Sequence, residues 1–141
     1  MSIKRTLLNT AVGFSLAATI ASTATAEEIT IATVNNADMI TMQELAPQWE
    51  AATGNTINWV VLEENVLRQR TTQYIATNGG SFDIMFIGAY ETPIWGANGW
   101  LTSLNDFADD ADYDLEDIFP LVRDSLSADG NLYAVPLYSE T

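Results

Sequence analysis

Ile57-Asn58-Trp59-Val60-Val61-Leu62-Glu63-Glu64-Asn65-Val66-Leu67-Arg68-Gln69-Arg70 is the stretch that decides the fold. Its first six residues are mostly β-branched, aromatic or aliphatic, which predicts a strand. At Glu63 the character changes. Two acids open a helix, where the positive end of the helix dipole favours them. Leu67, Thr71, Tyr74 and Ile75 then fall at helical spacing on one inward face, and Asn78-Gly79-Gly80 ends the run. A strand that passes directly into an amphipathic helix is one unit of an alternating chain. Upstream, Ile29 to Val34 predicts another strand and Asn35-Asn36-Ala37-Asp38 a turn. Met42, Leu45, Trp49 and Ala52 follow at helical spacing, with Thr41-Met42-Gln43-Glu44 fitting a capping box and Gly54 a terminator. Pro47 removes a backbone donor inside that helix, so the helix either kinks there or begins later than the box suggests. Trp49 and Trp59 are expected in the core on their periodicity.

Downstream, Asp83 to Ile87 is almost without polar residues, as in parallel-sheet strands covered on both faces. A short helix is expected over Glu91 to Ala97, ended by Asn98-Gly99, and another over Leu115 to Leu126. Asp129-Gly130-Asn131 predicts a turn, with Leu132 to Tyr138 extended. Strand, helix, strand, helix, strand, helix argues an α/β fold with a mostly parallel sheet and helices on both faces.

The front of the chain reads differently. Met1-Ser2-Ile3-Lys4-Arg5 is basic, Thr6 to Ile20 is mildly apolar, and small residues lead to Ala24-Thr25-Ala26. These are the three parts of a secretory signal peptide, with cleavage expected between Ala26 and Glu27. Asn9 and several Ser and Thr residues weaken the run as a membrane anchor. A signal peptide predicts a protein that works outside the cytoplasm, with a bacterial periplasm as the expected compartment. Of 141 residues, removal of 26 leaves 115, the size of one lobe or domain. The formal charge is −14; without Lys4 and Arg5, three basic residues (Arg68, Arg70 and Arg123) stand against 19 acids, a net −16. So acidic a chain repels phosphate backbones, anionic membrane surfaces and anionic ligands, leaving neutral or cationic ones, with no nucleic acid expected as a partner. There is no cysteine and no histidine, which excludes thiol nucleophiles, zinc sites and Ser-His-Asp catalysis; no metal or cofactor is expected.

In open α/β sheets ligands bind beyond the carboxyl ends of the strands. Three segments lie there: Asn35, Asn36 and Asp38 after the first strand; Glu63, Glu64 and, one helical turn on, Arg68 after the second; Gly88, Ala89, Tyr90, Glu91 and Trp95 after the third. Amides, carboxylates, one guanidinium and aromatics suit a polyhydroxylated neutral ligand, because carboxylates accept from hydroxyls and Arg donates to them. Bland readings compete: the asparagines shape a turn, the glutamates complement a helix dipole, Arg68 and Arg70 are solvated or paired at the surface, and the aromatics pack. Their convergence at three strand ends favours a site. Asp110, Asp112 and Asp114 have the alternate spacing of a calcium loop, but Leu115 and Leu121 occupy the places of its glycine and its closing glutamate, so a solvated acidic surface is expected.

Four runs carry a resemblance: Ile31 to Asn36; Trp59 to Arg70; Ile87-Gly88-Ala89-Tyr90-Glu91-Thr92-Pro93-Ile94-Trp95-Gly96; and Leu132-Tyr133-Ala134-Val135-Pro136-Leu137-Tyr138 with Glu140. Together they resemble the periplasmic solute-binding proteins of bacterial ABC sugar importers, in the sugar-alcohol (sorbitol/mannitol) branch. The resemblance implies two α/β lobes that close on ligand. It also implies that residues 27–135 form most of the first lobe and that 136–141 begin the hinge crossing to a second. The chain therefore reads as the front part of a longer protein. The resemblance points to Asn35, Asn36, Glu63, Arg68, Tyr90, Glu91 and Glu140 as pocket-facing, with Trp95 beside them. It implies a monomeric, non-enzymatic protein that captures a small polyol or sugar and delivers it to membrane permease subunits. Two alternatives stand beside it: a secreted carbohydrate hydrolase using Glu63 and Glu91, and a ligand sensor that docks on a chemoreceptor.

Overall fold

The computed structural model describes residues 26–108, 110 and 113–138. The predicted signal segment before residue 26 and Glu140 lie outside them. Three strands form the sheet: β1 (Glu28–Val34), β2 (Thr56–Leu62) and β3 (Ile84–Met85), in the order β2-β1-β3, all parallel. Helix α1 (Ala37–Thr53) joins β1 to β2, and α2 (Glu64–Ala76) joins β2 to β3. These two connections run in opposite directions along the sheet. With right-handed crossovers, α1 and α2 lie on opposite faces, as expected for a doubly wound α/β fold. The central strand is sealed at Ile31, Ala32 and Thr33; Leu67 and Thr71 of α2 and Met39 and Ala46 of α1 are buried as well.

Helix α1 departs from its expectation. It begins at Ala37, a turn before the Thr41 box, because the Asn36 side chain accepts the Met39 amide at 2.9 Å and caps it there. Thr41 instead donates its hydroxyl to the Ala37 carbonyl. The helix runs through Pro47 to Gly54, which takes φ 76 and donates its amide to the Glu50 carbonyl. Its inward stripe is Met39, Gln43, Ala46 and Glu50, whereas Met42, Leu45, Trp49 and Ala52 are exposed. Trp49 is thus a surface residue, and Trp59 is half-buried rather than core. The stripe turns because Glu50 reaches across to accept the Ile57 amide at 2.7 Å, tying the helix to the start of β2.

Helix α2 matches its expectation, with Leu67 and Thr71 buried and Tyr74 and Ile75 half-buried. It ends in a Schellman arrangement: Asn78 takes φ 49, its amide bonds the Ile75 carbonyl, and the Gly79 amide bonds the Tyr74 carbonyl. Tyr74 then folds over Gly79 and donates its hydroxyl to the Phe82 carbonyl at 2.8 Å.

The third strand is shorter than the run Asp83 to Ile87 suggests. Only Ile84 and Met85 pair with β1, flanked by bonds from Asp83 to Thr30 and from Phe86 to Ala32. Among the described residues β3 is an edge, and Ile84 is exposed rather than covered on both faces. Helix α3 (Glu91–Ala97) forms as expected. A turn of helix not anticipated, α4 (Asn105–Ala108), follows. The helix expected over Leu115 to Leu126 is broken into a 3-10 turn (Leu115–Asp117) and α5 (Pro120–Ser125). Pro120 is the cause: it forces Phe119 into extended backbone and then starts a new helix at its first position. The chain next makes a small hairpin, β4 (Ser127–Ala128) against β5 (Asn131–Leu132), around Asp129 and Gly130, both with positive φ. Asn105 holds this hairpin by bonding the Asn131 side chain and the Leu132 amide, each at 2.9 Å. Among the described residues no helix is long and apolar enough to cross a membrane.

Candidate functional site

All three sheet strands point their carboxyl ends the same way, so three loops meet on one edge. The reversal of strand order at β1 places the crevice between the β1 and β3 loops. A large open concavity reaches this edge; its walls extend over α2, the start of β3 and the segment after the hairpin, and at the strand ends they include Asn35, Asn36, Glu63, Glu64, Arg68 and Glu91.

Each side chain is placed by local chemistry. Asn35 is exposed with no hydrogen bond of its own side chain, while Asn36 is committed to capping α1. Glu63 caps α2, accepting from the amides of Asn65 at 3.0 Å and Val66 at 3.3 Å. One turn on, Arg68 is gripped from two sides. Its Nη2 and Nε lie 3.2 and 3.3 Å from Glu64 Oε1, an i,i+4 pair on α2. Its Nη1 lies 3.0 Å from Glu91 Oε1 on α3. The guanidinium therefore bridges the end of β2 to the end of β3. Its side chain is 55% exposed against 20% for Glu91, so the pair adds little to stability but fixes the guanidinium in the wall of the concavity.

Glu91 is the most enclosed carboxylate of the group. Its Oε1 takes the bond from Arg68, and its Oε2 is buried without a partner. It folds back over Gly88, whose carbonyl accepts both the amide (3.2 Å) and the hydroxyl (2.9 Å) of buried Thr92. Trp95, one turn further along α3, is 7% exposed and lines the concavity. Tyr90 stands apart: it is 77% exposed, outside the concavity, and makes no capping bond to α3. Away from this edge, burial pushes the Tyr113 phenol above its ordinary 10.0, and its hydroxyl is buried without a partner.

The structure thus brings together Asn35, Asn36, Glu63, Arg68, Glu91 and Trp95, and sets Tyr90 outside. Glu64 and Gly88, expected at the strand ends but not among the pocket-facing residues, also belong to the arrangement. The i,i+4 spacing of Glu64 and Arg68 was legible as a helix pair. Nothing in the sequence marks the approach of Glu91 to Gly88, because they meet only through the turn between β3 and α3. Chemically, the edge offers a cationic fork, carboxylate acceptors and a free amide within reach of one concavity, with no cluster that could hold a metal among the described residues. Such a set can hold adjacent hydroxyl groups by donating to one and accepting from the next.

Known proteins share this architecture. The sequence pattern of the bacterial extracellular solute-binding proteins matches residues 34–141. A mannitol-binding protein of Pseudomonas aeruginosa is 55% identical over 116 residues, which cover 82% of this chain and 26% of that protein. A crystal structure of an ABC transporter solute-binding protein from Agrobacterium vitis with bound D-mannitol superposes with a TM-score of 0.76 at 54% identity, covering 79% of this chain and 27% of that one. A second, from Agrobacterium radiobacter in complex with ribitol, gives 0.70 at 26% identity, covering 77% and 28%. The chain thus spans about a quarter of the length of these relatives.

Proposed function

Because the chain belongs to the bacterial extracellular solute-binding proteins, we propose that it is the ligand-capturing first lobe of the periplasmic component of an ABC importer for a polyol of the mannitol or sorbitol type. Arg68, fixed between the carboxylates of two different helices at the edge of the concavity, is the observation that carries this reading. Nε and one hydrogen of each Nη are taken by the two carboxylates, so the remaining Nη hydrogens are held in place for hydroxyl oxygens before ligand arrives, which lowers the ordering cost of binding. An open-chain polyol has no flat ring face to stack on an aromatic. Hydrogen bonds to Arg68, Glu91 and Asn35 are therefore the main source of affinity, with Trp95 as the apolar wall. Charge-assisted bonds to hydroxyls contribute roughly 1.5–3 kcal/mol each. A few of them reach micromolar affinity, about −8 kcal/mol, once ordering costs are subtracted.

The relatives that bind mannitol and ribitol support the ligand class. None of them is described as a hydrolase. Secretion through the segment ending at Ala26, delivery to membrane permease subunits, a monomeric state and a contribution from Glu140 belong to the same reading. Residues 27–135 would supply one jaw, and the chain from Pro136 onward would lead to the other.

Titration calorimetry of the full-length gene product against D-mannitol, D-sorbitol, ribitol and maltose tests the proposal. Heat of binding with at least one alditol and none with maltose is the expected result. Silence with every alditol refutes it. A pull-down against the cognate permease and against a chemoreceptor ectodomain separates transport from sensing.

A further inference from the structure

Gly88 has a role that its side-chain-free chemistry conceals. A Cβ built on this residue lies 2.6 Å from Glu91 Oε2 and 3.8 Å from Glu91 Cδ, with Tyr90 N next at 3.9 Å. The first of these separations is shorter than real Cβ contacts allow, and it is made by the far end of a flexible side chain. Backbone conformation is not what calls for glycine here, since the positive-φ glycines are Gly54, Gly99 and Gly130. The residue 88 backbone is also held in place. Its carbonyl accepts from the amide and the hydroxyl of Thr92, which is fully buried. Of the groups at this contact, the Glu91 side chain is the more flexible. A Cβ there displaces the Glu91 carboxylate, and its Oε1, 3.0 Å from Arg68 Nη1, is drawn into the movement.

We propose that Gly88 is a positioning residue of the ligand site. The space above its Cα lets the Glu91 carboxylate fold back over the β3–α3 turn, and in that pose Glu91 aims the Arg68 guanidinium at the concavity. The inference rests on the polyol-capture reading above and deepens it by naming what sets the geometry of the Arg68–Glu91 pair. Glycine at 88 is a steric requirement of Glu91 and acts through it alone.

A double-mutant cycle on the full-length protein tests this, with D-mannitol as the probe. Gly88→Ala is expected to weaken binding about tenfold, the loss of one charge-assisted bond, while thermal unfolding stays within a few degrees of the wild type. In the Glu91→Ala background, where no carboxylate remains to be displaced, Gly88→Ala should change affinity by less than twofold. An equal loss in both backgrounds overturns the proposal, because Gly88 would then act without Glu91. A crystal structure of Gly88→Ala supplies a readout that needs no ligand. The Glu91 carboxylate should have left residue 88, and its contact with Arg68 should have opened beyond 4 Å. Retention of the wild-type pose overturns the proposal even if affinity falls. If the wild type binds none of the alditols, the polyol reading fails, and the crystallographic result still decides the role of Gly88.

Discussion

Strand β1 is paired on both sides, but unequally: seven residue pairs toward β2 and two toward β3. On the β2 side, a long ladder, a 17-residue helix and a 13-residue helix repeat the same physical pattern many times. On the β3 side, the ladder stops after Met85, and the chain proceeds through short elements tied by individual side chains: Asn105 to the hairpin, Tyr133 against Gly96, Thr92 to Gly88. The long side builds a platform. The short side builds the rim, because a strand that ends early frees its following residues to turn across the strand ends, where Glu91 can meet Arg68. Stability and binding are therefore expected to respond to different halves of the molecule, and several substitutions probe that division.

The largest effect should come from Leu67→Ala in the platform. Leu67 is buried on the inward face of α2, and truncation leaves a cavity beside the central strand. A loss of about 3 kcal/mol in urea unfolding is expected. A loss below about 1 kcal/mol would show that the α2 face is not the platform's core.

Gly96→Ala tests whether the short side is packed as closely. A Cβ at 96 would run into the Tyr133 ring, so α3 touches the segment after the hairpin through this glycine. Overpacking strain of about 2–3 kcal/mol exceeds the roughly 1 kcal/mol that Ala gains over Gly in a helix. A net loss of about 1–2 kcal/mol is expected in the same assay. An unchanged or higher stability would mean that Tyr133 gives way freely and that the short side is loosely joined.

Asn36→Ala should cost about 1 kcal/mol through loss of the α1 cap. Comparing it with Asn35→Ala sharpens the contrast within a single loop. Asn35 caps nothing, so its removal should leave stability within about 0.5 kcal/mol and lower polyol affinity instead. Equal stability losses at both positions would erase that distinction.

The smallest effect concerns Tyr113. Burial favours its neutral phenol in the folded state, so its pKa is higher folded than unfolded. The stability this contributes is present below the unfolded value near 10.0 and is lost as pH rises above it. Tyr113→Phe should flatten the fall in thermal stability above that pH and leave neutral-pH binding unchanged. An identical alkaline profile for both proteins would locate the alkaline sensitivity elsewhere.

Much of the platform could be read from the chain alone. The β2–α2 run gave a strand, a helix opened by acids, and an inward face at Leu67 and Thr71, because burial repeats at a fixed period there and local signals agree with it. The reading faltered where one side chain outweighs the period. Asn36 starts α1 a turn before Thr41, Glu50 turns its stripe toward β2, and Pro120 splits the helix expected over Leu115 to Leu126. Each is a single hydrogen bond or a single steric exclusion, which a periodic pattern averages away.

The candidate site divides in the same way. Asn35, Glu63, Arg68 and Glu91 were legible as polar groups at strand ends, since strand direction in a parallel sheet gathers them on one edge whatever their partners. What the sequence by itself determined was the α/β order, the edge on which the polar residues collect and the family to which those runs belong. Only the tertiary structure decided that Arg68 also reaches Glu91 on a second helix, that Tyr90 stays largely exposed and that Gly88 makes room for Glu91. Those contacts depend on distances between segments up to 23 residues apart, and such distances are set by how the turns after β2 and β3 cross in space rather than by any spacing along the chain.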